Sequence, residues 1–411
     1  MDAEQFFNLC RDGSAGEVAC AVRDGADTGE CLFGWTPIMF AAKFNSDPGV
    51  IKVLAEAGAD VNARDDDGWT ALMFAERFND NPEVVKALID AGADVNMKDD
   101  KDGTTALMMA ASEASDPRIV EALVEAGADI DARNYEGMTA LMLAAWGNPN
   151  ADVTKTIIEA GANTDIEDSL FGMNALMFAS KFNTNPEVIA ALAKSSTDPD
   201  AKDKNGLTPL MIAARSNTNP DVAKALASAG ADADAEGGAF GMTALMLAAS
   251  DGKNKGVVDV LTGIGADVQA KDKVGRTALM LAAGESKSPD IVKALIDAGA
   301  DVNARDAVGR TALMLAAAES KNPDMVKALI DAGADINARD GDGWTALMLA
   351  AGEEGNIDVI KTLLDAGADT GVKDADGWTA LSLARNENGN CDITDALASA
   401  CGDSPSENQN K

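Results

Sequence analysis

Histidine is absent from all 411 residues, and with it the side chain that most readily serves as acid–base catalyst or metal ligand near neutral pH. Cysteine is scarce and confined to the two ends, as Cys10, Cys20, Cys31, Cys391 and Cys401, with no Cys-x-x-Cys pair. The usual zinc arrangements are therefore excluded. Cys391 and Cys401 would bracket a helix about 15 Å long, too far apart for a disulfide, so reduced and partly buried thiols are expected. No stretch reaches the roughly 18 apolar residues of a membrane span. The opening Met1-Asp2-Ala3-Glu4-Gln5-Phe6-Phe7 has no basic segment followed by an apolar run. A cytoplasmic location is the expectation, with secretion left open.

Positive charge is also in short supply. Lysine and arginine number 34 against 68 acidic residues, a net charge of −34. That balance repels nucleic acid and anionic membranes and favours neutral or basic partners. It also keeps a repetitive chain soluble.

What the chain has in abundance is self-similarity. The glycine of Gly-x-Thr (once Gly-x-Asn) recurs as Gly34, Gly68, Gly103, Gly137, Gly172, Gly206, Gly241, Gly275, Gly309, Gly343 and Gly377, always 34 or 35 residues apart. After each marker the chain reads like Thr277-Ala278-Leu279-Met280-Leu281-Ala282-Ala283, then a polar loop, then Ile291-Val292-Lys293-Ala294-Leu295-Ile296-Asp297-Ala298-Gly299. Thr is a good N-cap, and the apolar residues and small alanines after it suit a short, closely packed helix. Pro48, Pro82, Pro117, Pro186, Pro220, Pro289 and Pro323 follow Asn, Asp or Ser and start a second helix. The Gly of Ala-Gly-Ala-Asp ends that helix, and a turn rich in Asp, Asn and Gly follows. Two short helices and a finger cannot bury an apolar face alone, so neighbours must stack.

This pattern resembles the ankyrin repeat, whose Thr-Pro-Leu-His-x-Ala-Ala is present here as Thr-Ala-Leu-Met-x-Ala-Ala. The resemblance covers residues 1 to about 402 and implies an all-α helical-repeat fold, an ankyrin-repeat solenoid with hairpin fingers. Residues 1–33 would be an N-terminal capping repeat, sealed by Phe6 and Phe7. Residues 34–402 would form eleven repeats of 34–35 residues, the last a C-terminal cap, and 403–411 a disordered polar tail. The family's histidine is replaced by Met39, Met73, Met108, Met142, Met177, Met211, Met246, Met280, Met314 and Met348, and by Ser382 in the last repeat. These methionines are expected to pack inside the stack. Ser195-Ser196 stand where Ala-Gly would end a helix, which predicts a local irregularity.

The resemblance also implies a binding face, the concave side lined by fingertips and first helices. The residue after each marker glycine belongs to it: Trp35, Trp69, Thr104, Met138, Met173, Leu207, Met242, Arg276, Arg310, Trp344 and Trp378. Four of the five tryptophans share this register, and Trp146 follows Ala144-Ala145. Phe33, Tyr135, Phe171 and Phe240 fall at finger tips, and Phe44, Phe78 and Phe182 where a first helix runs into its loop. A chain with only 4% aromatic residues would ordinarily use them in its core. Their placement instead suits interface anchors. The alternative is that the tryptophans stiffen the row of fingers. Lys43, Arg77, Lys181 and Arg215 make the N-terminal part of the face locally basic. In the C-terminal part, Gly284, Ala318 and Gly352 precede Glu285, Glu319 and Glu353, giving a smoother, acidic end.

The reading is a protein–protein interaction scaffold, not an enzyme, binding a protein or peptide with apolar and basic features. It needs no cofactor or metal, binds no nucleic acid or membrane, and is expected to be a monomer. Asp65-Asp66-Asp67-Gly68 and its counterparts look like the start of a calcium loop but lack the closing glutamate, so they are read as turn formers. Two other functions fit the composition: a structural spacer without a dedicated partner, and an acidic mimic of nucleic acid that inhibits a basic protein.

Overall fold

The computed structural model describes residues 1–79, 81–286, 288–320, 322–352, 356–388 and 391–402. The expected tail, 403–411, and Glu353 lie outside them. The chain divides into two units, Met1–Lys204 and Asn205–Lys411, each a stack of helix pairs.

The first unit opens with α1 (Ala3–Asp12) and α2 (Ala15–Arg23). Four pairs follow: α3 (Pro37–Phe44) with α4 (Pro48–Glu56), α5 (Ala71–Phe78) with α6 (Pro82–Asp90), α7 (Ala106–Glu113) with α8 (Pro117–Glu125), and α9 (Ala140–Gly147) with α10 (Ala151–Glu159). α11 (Ala175–Phe182) and α12 (Pro186–Ser195) close it. Within the unit, first helices pack on first helices and second on second. The second unit repeats the plan with α13 (Pro209–Ser216), α14 (Pro220–Ser228), α15 (Ala244–Asp251), α16 (Lys255–Gly263), α17 (Ala278–Gly284), α18 (Pro289–Asp297), α19 (Ala312–Leu315), α20 (Pro323–Asp331), α21 (Ala346–Ala351), α22 (Ile357–Asp365), α23 (Ala380–Leu383) and α24 (Cys391–Cys401). α19 and α23 run on into π-helical turns, Ala316–Ser320 and Ala384–Asn388.

Local chemistry explains the start of most of the helices. Thr70 Oγ1 accepts from the Met73 amide at 3.3 Å, and Asn81 Oδ1 accepts from the Glu83 amide at 3.1 Å with Pro82 in the first helical position. The methionine ladder lies in the core, as its apolar character requires. It also has a polar use. The cap of α15 is reciprocal, because the Thr243 amide donates to Met246 Sδ at 3.5 Å while the Met246 amide donates to Thr243 Oγ1 at 3.4 Å. Thr311 and Met314 repeat this exchange. The thioether thus takes the part that Glu or Gln plays in a capping box. In the last repeat Ser382 Oγ accepts from the Thr379 amide at 2.7 Å.

Leu72, Met73, Val84, Val85 and Leu88 are typical of the buried layer between the two helix rows. Each such side chain contributes roughly 1.5–3 kcal/mol by leaving water. Phe6 and Phe7 are buried at the N-terminal end. Cys10 is buried too, and burial pushes its thiol up to about 12. The other four cysteines are exposed, which corrects the expectation of partly buried thiols.

Among the described residues no strand forms, so the fingers are turns with isolated bridges at Leu32–Trp35 and Gly237–Met242. Most of the other fingers are closed by an Asp or Asn: Asp65 Oδ1 accepts from the amides of Asp67 and Trp69 at 3.0 and 2.8 Å. Tip-to-tip backbone bonds then join neighbouring fingers, as from Asp100 to the Asp67 carbonyl at 3.0 Å and from Tyr135 to that of Asp102 at 2.9 Å. At the expected irregularity, α12 runs on through Ser195 and Ser196 leaves in an extended conformation, with no left-handed glycine.

Candidate partner-binding face

Each finger returns to its first helix through the residue after the marker glycine. The Trp69 amide is held by Asp65, and Thr70 at once caps α5, so the indole is launched at the base of the finger and lies along the helix. Its ring centroid is 5.2 Å from Phe74 and 6.1 Å from Phe78, two rings that share a helix face because they are four residues apart. Trp35, one repeat earlier, reaches the same Phe74 at 4.5 Å and also touches Phe40. Lys43 places its ammonium over this assembly, 4.1 Å from the Phe78 centroid and 4.7 Å from that of Trp35. The two indoles and their phenylalanines form one continuous aromatic cluster.

A second cluster joins Trp146 on α9 to Phe178 and Phe182 on α11, at 6.0 and 5.4 Å. Lys181 stands 4.9 Å from the Phe182 centroid and 5.8 Å from that of Phe171. Trp146 remains 44% exposed. Phe40, Phe74 and Phe178, in the middle of their first helices, form the bed on which the indoles lie. The i, i+4 spacing of Phe40 with Phe44, Phe74 with Phe78 and Phe178 with Phe182 was the signal that marks them.

Other residues expected on the face are placed differently. Met138 and Met173 are each only 3% exposed and offer little surface to a partner, although Met138 borders the cleft between Trp69 and Trp146. Met242 is half-buried, its backbone paired with Gly237. Arg276 and Arg310 fold back on the carboxylates of Asp272 and Asp306 at 2.9 Å, and Arg276 also meets Glu285 at 3.1 Å, so both guanidiniums brace their own repeats. Arg77 is paired with Glu113 at 2.6 Å. The tip residues Phe33, Tyr135, Phe171 and Phe240 are exposed, Phe33 at 93% and with a positive φ of 53°. In the second unit Trp344 is half-buried, while Trp378 lines a cavity of about 470 Å³ with Leu381, Ser382 and Arg385.

One residue on this row escaped the sequence reading. Glu76 on α5 is buried, neither carboxylate oxygen has a hydrogen-bond partner, and burial pushes its carboxyl well above the usual carboxylate range. The other first helices mostly carry alanine there, as at Ala42, Ala111 and Ala145. Glu at one repeat in a register of alanines was the available signal.

No group of three or more Cys, Asp or Glu among the described residues could hold a metal ion, and no helix among them is long and apolar enough to cross a membrane.

A family model described as ankyrin repeats (3 copies) matches residues 8–99, 78–168, 141–237, 231–306, 285–374 and 313–409. The matches overlap and together run from residue 8 to residue 409. No match was found among curated proteins.

Proposed function

The chain belongs to the ankyrin-repeat family, and from that premise we propose that it is a binding scaffold holding a protein or peptide on its row of first helices and fingertips. Ankyrin repeats are generally protein–protein interaction modules and typically do no chemistry. On this reading residues 1–33 cap the stack and 34–402 carry eleven repeats. The partner has apolar and basic features, and no catalytic step is assigned to the chain.

One observation carries the proposal: large aromatic side chains stay in solvent on one row of helices, with Trp146, Phe44, Phe78 and Phe182 all between 43% and 48% exposed. Exposed indoles and phenyls clustered on one row of helices are the composition of interface hot spots. The net charge of −34 favours a basic partner.

The spacer reading has an observation of its own. Trp35 and Trp69 share Phe74 across a repeat boundary, which is what rings that only stiffen the stack would do. Affinity capture from source cells separates the two, comparing the natural chain with a Trp69→Ser, Trp146→Ser variant shown by circular dichroism to be folded. A protein retained only by the natural chain supports the scaffold. Equal retention by both, or none by either, overturns the assignment of the site to this face. Steep loss of the captured protein with salt would instead favour the nucleic-acid mimic.

A further inference from the structure

We propose that the cleft between Trp69 and Trp146 is a pocket for one arginine side chain of a basic partner peptide. The proposal rests on the scaffold reading above and deepens it.

The cleft exists because the third repeat interrupts the aromatic row. Thr104 stands where its neighbour has Trp69, and Ser112 where the neighbours have Arg77 and Trp146. The two clusters therefore face each other across a gap with a cavity volume of about 290 Å³. That lies just below the usual range for small-molecule sites, about 300–1,000 Å³, and suits one long side chain better than a whole ligand. Met109, buried, and Leu143, half-buried, form its floor. The indoles of Trp69 and Trp146 stand on its two sides, and the exposed carboxylates of Asp102 and Glu136 mark its rim.

The charges lining the cleft choose the occupant. Asp99, Asp102 and Glu136 face a single cation, Arg77, which Glu113 already pairs. Asp99 is buried and anchored by the amides of residues 102–104, so its charge is held in place. An acidic side chain is repelled. A lysine ammonium is compact and strongly hydrated, and the methionine floor would strip its water without replacing it. A guanidinium is planar and weakly hydrated, stacks on indole faces, and donates in a fork that matches a carboxylate. It satisfies walls, floor and rim together.

The test uses the full chain labelled with 5-fluorotryptophan, with the Trp69 and Trp146 fluorine signals assigned through Trp69→Phe and Trp146→Phe. The probe is a blocked Gly-Ser-Arg-Ser-Gly peptide at millimolar concentration, against the same peptide carrying citrulline, lysine or leucine. The arginine peptide should move both signals and leave those of Trp344 and Trp378 in place. Citrulline, the same shape without the charge, should bind about tenfold more weakly, as should arginine to a D102N/E136Q variant, through loss of roughly one charge-assisted hydrogen bond. Equal responses to arginine and citrulline, or to arginine and leucine, overturn the pocket. So does an absence of response to the arginine peptide. If that happens while capture of a cellular partner still depends on Trp69 and Trp146, the pocket falls and the scaffold stands. Arginine binding without any such capture leaves the pocket in place and sinks the scaffold.

Discussion

The Lys43 ammonium stands 4.1 Å from the centroid of the Phe78 ring, which belongs to the following repeat. It also lies 4.7 Å from Trp35, 5.0 Å from Phe44 and 5.7 Å from Phe74. One cation of the chain itself thus ties the rings of two repeats together. Such contacts are worth about 0.5–1 kcal/mol when exposed and about 2 when desolvated. Lys43→Met, which keeps the apolar stem, should destabilise the chain by about 1 kcal/mol in denaturant unfolding. In a Phe78→Leu background, which removes the nearest of the four rings, that cost should fall, and an undiminished cost there would contradict the contact with Phe78.

Glu76 makes stability depend on pH in the direction opposite to most carboxylates. Burial raises its folded pKa, whereas in the unfolded chain it ionises near about 4.3. Above that value the unfolded state sheds a proton that the folded state keeps, so the contribution of this residue to stability falls as pH rises toward the folded pKa. Below about 4.3 both states are protonated and the dependence ends. Glu76→Ala should therefore stabilise the chain at neutral pH, by about 1–3 kcal/mol for removing an unpaired buried group. The gain should shrink as the pH is lowered. Denaturant midpoints of the two proteins across a pH series give the difference directly, with the other acidic groups cancelling; a difference independent of pH would refute the assignment.

Asn148 is a buried rivet between the third and fourth repeats. Its Nδ2 donates to the carbonyls of Ala111 and Ala114 at 3.1 and 3.0 Å, and its Oδ1 accepts from Asn150 at 2.9 Å. Asn183 makes the same pair of donations one repeat later, to Ala145 and Asn148, and Asn79 makes them to Ala42 and Asn45 in an earlier repeat. Asn148→Ala should cost about 1–3 kcal/mol through the acceptors left unpaired. Asn148→Asp should cost more, because a carboxylate oxygen would then face two carbonyls. Thermal unfolding of both variants checks the order, and an aspartate variant as stable as the alanine one would contradict it.

Gly275 carries a finger whose geometry tolerates no side chain. Its φ is +83°, and an added Cβ would lie 2.7 Å from the backbone nitrogen of Ala307. That nitrogen donates to the Val274 carbonyl at 2.9 Å, the bond that joins the two fingers. Gly275→Ala should cost more than the roughly 1 kcal/mol of a simple left-handed penalty, because the finger-to-finger bond must also open. Hydrogen exchange at the Ala307 amide reports the opening, and unchanged protection there would contradict it.

The period, the helix pairs, their caps and the buried methionines were all legible in the chain. Those features depend on neighbours in sequence: Thr before an apolar run, Asn-Pro at a helix start, Gly at its end. The aromatic register was legible too, since it follows from the repeat phase. What only the tertiary structure decided was which members of that register meet. Trp35 and Trp69 join through Phe74, Trp146 joins Phe178, and Met138 and Met173 are buried. Arg276 and Arg310 occupy the tryptophan register yet are held by aspartates of their own fingers. The physical reason is that repeat phase gives each residue an address along the stack, whereas exposure and contact depend on what the next repeat presents across the boundary. An asparagine at the end of a first helix reads as a plain cap until the preceding repeat brings two carbonyls to its amide. Glu76 reads as surface charge until its surroundings close over it.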